Sequence, residues 1–122
     1  MITTITKEFE FAAAHNLPNH EGLCKNLHGH NYKLQVTISG DIQKIGSASG
    51  MIMDFGDLKK IVKKHILDIL DHSNLNITFD NPTAEVMVKW IGIKLISVLP
   101  VWVKIYEIKL WETSTSFATW KT

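Results

Sequence analysis

Arginine is absent: all 13 basic residues of the 122-residue chain are lysine. An anionic ligand therefore meets no guanidinium fork, and only the point charge of an ammonium is on offer to a phosphate. Cysteine occurs once, at Cys24. That excludes an intrachain disulfide framework and fits a reducing compartment. A basic stripe is missing too, because the lysines are scattered and the net charge is only +1. Nucleic acid is not an expected partner. The longest apolar-looking segment is broken by Lys89 and Lys94, so no membrane span is expected. The first residues, MITTITKEFEF, alternate polar and apolar and lack the apolar core of a signal peptide. The expectation is a soluble cytoplasmic protein.

What is present is ordinary for a globular chain. With 45% hydrophobic residues, the length suffices for one core and one domain spanning 1–122. Residues 2–14 read as a strand, with Ile5, Phe9 and Phe11 on one parity. HNLPNHEGLCKN, carrying Pro18 and Gly22, reads as a long loop. Residues 30–40 alternate again, with Tyr32, Leu34, Val36 and Ile38 on one side, and GSASG (46–50) is a flexible turn. From Asp54, helical spacing of Leu58, Ile61, Val62, Ile66 and Ile69 predicts a helix to about residue 71. NLNITFDNP reads as loop. Thr83 is a good N-cap for a second helix, which Pro100 ends. Residues 101–112 and 115–121 then read as strands.

The order β–β–α–α–β–β points to an α+β fold, a four-stranded antiparallel sheet with both helices on one face. The other face and the open edges need cover, so the sheet is expected to continue into neighbouring subunits.

Chemistry concentrates in CKNLHGHNY. His28 and His30 stand at i and i+2 at the start of a strand. They share a face about 6.5–7 Å apart, and can converge on one ion at about 2.0–2.1 Å. An HxH pair alone reads equally as a turn with two exposed histidines. His15, at the end of the neighbouring strand, supplies a third imidazole and tips the balance to a metal tripod with an open fourth position. His65 lies on the helical stripe and reads as a packed or boundary residue; His20, in mid-loop, reads as exposed.

Cys24 has three readings: a small buried hydrophobe, a thiolate base favoured by a nearby cation, or a fourth ligand that closes the site. Asp71 and His72 follow the first helix. An aspartate is disfavoured in a last turn, and an Asp–His pair can set a tautomer and relay a proton, although solvent exposure explains both residues as simply. Glu112 shares parity with Ile108 and Leu110. If buried, its carboxylate needs a partner, and a ring with two adjacent N–H donors would suit it; if the strand has already ended, it faces water. Glu85 is sufficiently explained as a first-turn acid. The four tryptophans read as core or interface, and GSASG is misplaced for a phosphate loop.

Taken in order, FEFAAAHNL (9–17), CKNLHGHNY (24–32), MDFGDLK (53–59), LDHSNLN (70–76), NPTAE (81–85) and WETSTS (111–116) resemble the motifs of the 6-pyruvoyl-tetrahydropterin synthase / 6-carboxytetrahydropterin synthase family. The resemblance spans nearly the whole chain. It implies the tunnelling fold, with subunits joining sheets into a trimeric barrel and two trimers stacking as a homohexamer. It also implies Zn2+ on His15, His28 and His30, Cys24 as proton acceptor, Asp71 and His72 as relay partners, and Glu112 as anchor of a pterin ring. Sites in this family form at subunit interfaces, on a pterin triphosphate substrate. The short spacer between Cys24 and the HGH, the short chain and TSTS after Glu112 resemble the bacterial 6-carboxytetrahydropterin branch of the queuosine route. Without arginine, the triphosphate contacts are unassigned, and Lys25 is a candidate by proximity.

Three rivals remain open at this point. One is 6-pyruvoyl-tetrahydropterin synthase proper. Another is a non-catalytic zinc- or pterin-binding module closed by Cys24. The third is a zinc hydrolase with Glu21 as its base.

Overall fold

The structure, a computed structural model, describes residues 1–122. The alternating stretches build two long antiparallel strands, β1 (Thr4–His15) and β2 (His28–Gly40). Phe9, Phe11, Ala13 and His15 of β1 face inward, as do Tyr32, Leu34, Val36 and Ile38 of β2, and all are buried. Phe9 pairs with Leu34 and Phe11 with Tyr32, so large side chains meet across the ladder. The ladder closes on His15 opposite His28. Each strand therefore includes histidines that the alternation left at or beyond its end.

Helix α1 (Phe55–Val62) starts at Asp54, whose carboxylate accepts from the N–H groups of Gly56 at 2.7 Å and Asp57 at 3.2 Å. It continues through a π-helical turn (Lys63–Leu67) into α2 (Asp68–Leu70). Leu58, Val62, Ile66 and Leu70 are all fully buried. A strict four-residue repeat drifts around an α-helix of about 3.6 residues per turn; the wider π turn keeps this stripe on the core.

The stretch read as loop after the first helix carries two elements, β3 (Ser73–Asn74) and a single turn, α3 (Leu75–Thr78). The His72 N–H donates to the Ala12 carbonyl at 2.6 Å, which lays β3 parallel against Ala13 and Ala14 of β1. The sheet thus has five strands, not four, in the order β3-β1-β2-β4-β5. A two-residue strand has no periodicity, so no pattern announces it.

Helix α4 (Ala84–Val98) opens on Thr83, whose hydroxyl accepts from the Val86 N–H at 3.2 Å. It covers β4 (Val103–Trp111) and β5 (Phe117–Lys121), burying Met87, Val88, Ile91 and Leu95. Gly92 lets the helix close onto the sheet: a Cβ there would run into the Trp120 ring. Tyr106 is extra in β4, because Thr37 pairs with Glu107 and Ile38 with Ile105.

All helices cover one face of the sheet and seal a cluster of 23 buried apolar residues. The other face carries Lys33 over the Trp111 ring at 4.9 Å and Trp111 against Phe117 at 4.8 Å. Phe117 is half exposed. No helix is long and apolar enough to cross a membrane.

Candidate metal centre and active-site cleft

Strand pairing brings the three predicted histidines together on the inward face. Ala13 opposes His30 and His15 opposes His28. Their ring centroids lie 4.6, 5.0 and 4.9 Å apart, with planes crossed at 68°, 88° and 84°. One ligand nitrogen from each lies within 4.8 Å of the others.

Backbone carbonyls set the tautomers. The Nδ1 of His15, a fully buried residue, is 2.8 Å from the Pro82 carbonyl, and that of His28 is 2.7 Å from the Asn26 carbonyl. A carbonyl can only accept, so both Nδ1 atoms carry the proton and both Nε2 atoms present lone pairs. Those two Nε2 atoms face each other at 3.0 Å. Two lone pairs at that distance repel unless a cation or proton lies between them. His30 Nε2 is buried without a hydrogen-bond partner. A soft-to-borderline divalent ion with imidazole ligands answers all three, since ligand nitrogens at about 2.0–2.1 Å in a tetrahedron sit about 3.3 Å apart. The residues fit the metal the family resemblance implies.

Burial holds the His30 imidazole below the usual histidine range, with His15 and His28 adding to the effect and the Glu112 charge opposing it. The neutral, ion-binding form is favoured. Tyr32 stacks on Phe11 at 4.9 Å, nearly parallel, with its hydroxyl 3.3 Å from His15 Nδ1. Burial, and then the Glu112 charge, push its phenol up, so it stays protonated.

The centre opens through His30 into a cleft of about 960 Å3, whose walls include Tyr32, Lys33, Asp71, His72 and Glu112. Asp71 and His72 are paired, Oδ1 to Nδ1 at 2.9 Å. The same oxygen accepts from the Ala12 N–H at 3.0 Å. That hydrogen bond, and then His72, hold the Asp71 carboxyl below the usual range. His72 has φ +59, a left-handed conformation that costs a non-glycine residue about 1–2 kcal/mol. Its side chain is exposed over the cleft. Glu112 lies just past β4, with Oε1 3.5 Å from His30 Nε2. It faces neither bulk water nor a wholly apolar core.

Cys24 stands apart. It occupies a 3-10 turn (Leu23–Lys25), half-buried, with its carbonyl accepting from the Leu17 N–H at 2.7 Å. It is outside the group of three ligands and outside the cleft walls, so nothing in one chain makes it a fourth ligand. Glu21, the base a hydrolase would need, is exposed in its loop and likewise outside the group. His65 is half-buried and His20 exposed. The lysine in the cleft is Lys33, not Lys25. Sequence patterns missed the Pro82 and Asn26 carbonyls and a second cavity of about 500 Å3, lined by Glu85, Val88, Glu112 and Trp120 among others.

Residues 4–122 match the family model of 6-pyruvoyl tetrahydropterin synthase. The chain belongs to this family. Over 96% of its length it is 44% identical to a 6-carboxy-5,6,7,8-tetrahydropterin synthase of Haemophilus influenzae, of which it covers 97%. It is 41% identical to a dihydroneopterin monophosphate aldolase of Pyrococcus furiosus, over 84% of this chain and 82% of that one. Among solved structures it superposes on the 6-pyruvoyl tetrahydropterin synthase of Caenorhabditis elegans with a TM-score of 0.84 at 29% identity, covering all of this chain and 96% of that one. The fold is therefore the tunnelling fold, and the chain is an enzyme of the pterin lyase type. In this family setting, the three-histidine centre and the cleft beside it occupy one end of the sheet, where β1, β2 and the end of β4 converge.

Proposed function

We propose that the protein is a zinc-dependent 6-carboxytetrahydropterin synthase, converting 7,8-dihydroneopterin triphosphate and water to 6-carboxy-5,6,7,8-tetrahydropterin, acetaldehyde and triphosphate, in 7-deazapurine (queuosine) biosynthesis in the cytoplasm. One observation carries the proposal: three imidazoles, two with lone pairs face to face, open onto a cleft that also holds an Asp–His pair and a carboxylate. The 44% identity to a carboxy-branch synthase favours that branch.

His15, His28 and His30 would hold Zn2+, which when bound polarises and acidifies side-chain hydroxyls of the substrate. Glu112 offers two oxygens to the adjacent N–H donors of the pterin ring. Cys24 removes a side-chain proton, and His72, oriented by Asp71, carries protons to and from the ring. Lys33, in the cleft wall, is the ammonium within reach of an anionic side chain.

Within one chain Cys24 does not share the cleft with Asp71 and His72. The free edge of β5 is unpaired and invites another sheet. Both features support a site completed by neighbouring copies, in a homohexamer built as a dimer of trimers.

The test is to incubate zinc-loaded protein with dihydroneopterin triphosphate, weigh the pterin product and assay aldehydes. Acetaldehyde with a 6-carboxypterin is the expected result. A 6-pyruvoyl product without aldehyde would move the chain to the C. elegans-type activity. Glycolaldehyde triphosphate with a 6-hydroxymethyl-dihydropterin would indicate an aldolase.

A further inference from the structure

We infer that Glu112 belongs to the metal centre itself: its carboxylate caps the open position of the bound cation while the second cavity is empty, and gives that position up when a ligand in the cavity takes the carboxylate. This deepens the proposed function and rests on it only for the chemistry of that ligand.

Glu112 is the one acidic side chain within 4.0 Å of the three histidines, and no lysine pairs with it. Glu8 and Glu107, by contrast, each take lysine partners. Its Oε1 stands 3.5 Å from His30 Nε2. That is too long for a good hydrogen bond, but close to the edge of about 3.3 Å that separates donor atoms around one tetrahedral ion. The His15–His28 nitrogen pair, at 3.0 Å, brackets the same edge from below. His30 Nε2 has no hydrogen-bond partner, so no other donor or acceptor competes for this corner.

The carboxylate stands on the His30 side, outside the compact group of three. Rotation about the glutamate's own side-chain bonds, without any backbone movement, is what would bring it on. Glu112 also lines both cavities, the cleft with His30 and the second cavity with Glu85 and Trp120. A 2-amino-4-oxo ring in the second cavity presents two adjacent N–H donors, which bind a carboxylate in a fork. One side chain cannot serve both partners at once. Ring binding would therefore open the cation to the rest of the substrate, and an empty site would stay closed.

The experiment uses the full-length protein loaded with Co2+ as a spectroscopic probe, with wild type, Glu112→Gln and Glu112→Ala compared. Cation affinity is read by competition with a chelator, and the ligand set by the visible d–d bands. Folding of each variant is checked by thermal unfolding without metal. Both variants should bind Co2+ about 10–100-fold more weakly and show altered bands. Plain pterin, which has no side chain to react, should shift the wild-type bands towards those of Glu112→Gln and leave the variant unmoved. Affinity and bands unchanged in folded variants would overturn the proposal. Weakened affinity with no response to pterin would overturn the exchange. None of these readings needs turnover, so a wild type that fails to convert dihydroneopterin triphosphate would sink the proposed reaction separately.

Discussion

Truncating His15 and truncating His28 should have the same effect on metal binding and very different effects on the metal-free fold. Each substitution to alanine removes one of the three imidazoles proposed to hold the metal and relieves the repulsion between the two facing Nε2 lone pairs. Those consequences cancel in the comparison. What differs is the other side of each ring. His15 is fully buried, and its loss leaves the Pro82 carbonyl without a donor and the Tyr32 hydroxyl without a neighbour. A buried group so orphaned costs about 1–3 kcal/mol, and the space left by the imidazole adds to it, for about 3 kcal/mol in all. His28 bonds the Asn26 carbonyl at an exposed position, where water replaces it for less than about 1 kcal/mol. For a chain of this size, about 3 kcal/mol is about 10 °C in Tm. Thermal unfolding with chelator at pH 8 and equal protein concentration would show His15→Ala melting well below His28→Ala. Equal melting temperatures, or the reverse order, would refute the claim that Pro82 and Tyr32 support His15 from behind.

Asp71→Asn tests a charge held at an exposed position. Because the folded carboxyl sits below its ordinary value, its contribution is present above the unfolded value of about 3.9. It is lost as pH falls through the lower folded value. The side chain is 39% exposed, so solvent screening reduces the effect to less than about 1 kcal/mol; urea unfolding in a series from pH 7 into acid should show the difference between wild type and variant shrink progressively below about pH 4. A pH-independent difference would point to packing instead. Gly92→Ala should destabilise despite a helix-propensity gain of about 1 kcal/mol, since overpacking against Trp120 costs about 1–3 kcal/mol; unfolding and sedimentation together would show whether a loosened β5 also disturbs assembly. Cys24→Ala should abolish turnover and leave bound zinc unchanged, measured by metal content after gel filtration. Zinc lost with the thiol would make Cys24 a ligand supplied across an interface.

The histidine triad was legible in the sequence because strand periodicity is short and unforgiving. Once Phe9 and Phe11 face inward, His15 faces inward by parity. Once Tyr32 and Leu34 do, His28 and His30 follow. The same arithmetic put Glu112 on the inward side through Ile108 and Leu110, and the structure leaves it there, half covered beside His30. What parity cannot carry is any contact made by the main chain. Every residue but proline offers the same N–H, and every residue the same C=O, so nothing in the identity of Asn26 or Pro82 marks the carbonyl that fixes a ligand's tautomer. The fifth strand was hidden for a related reason: it is held by the His72 and Ala12 main chains, and its two residues are too few to alternate. Nor does local pattern show that Cys24 lies outside the cleft that Asp71 and His72 line. That separation is a property of the folded chain. Under the proposed reaction it also supports assembly, because residues proposed to act on one substrate, and apart within one chain, would be brought together by a neighbouring copy.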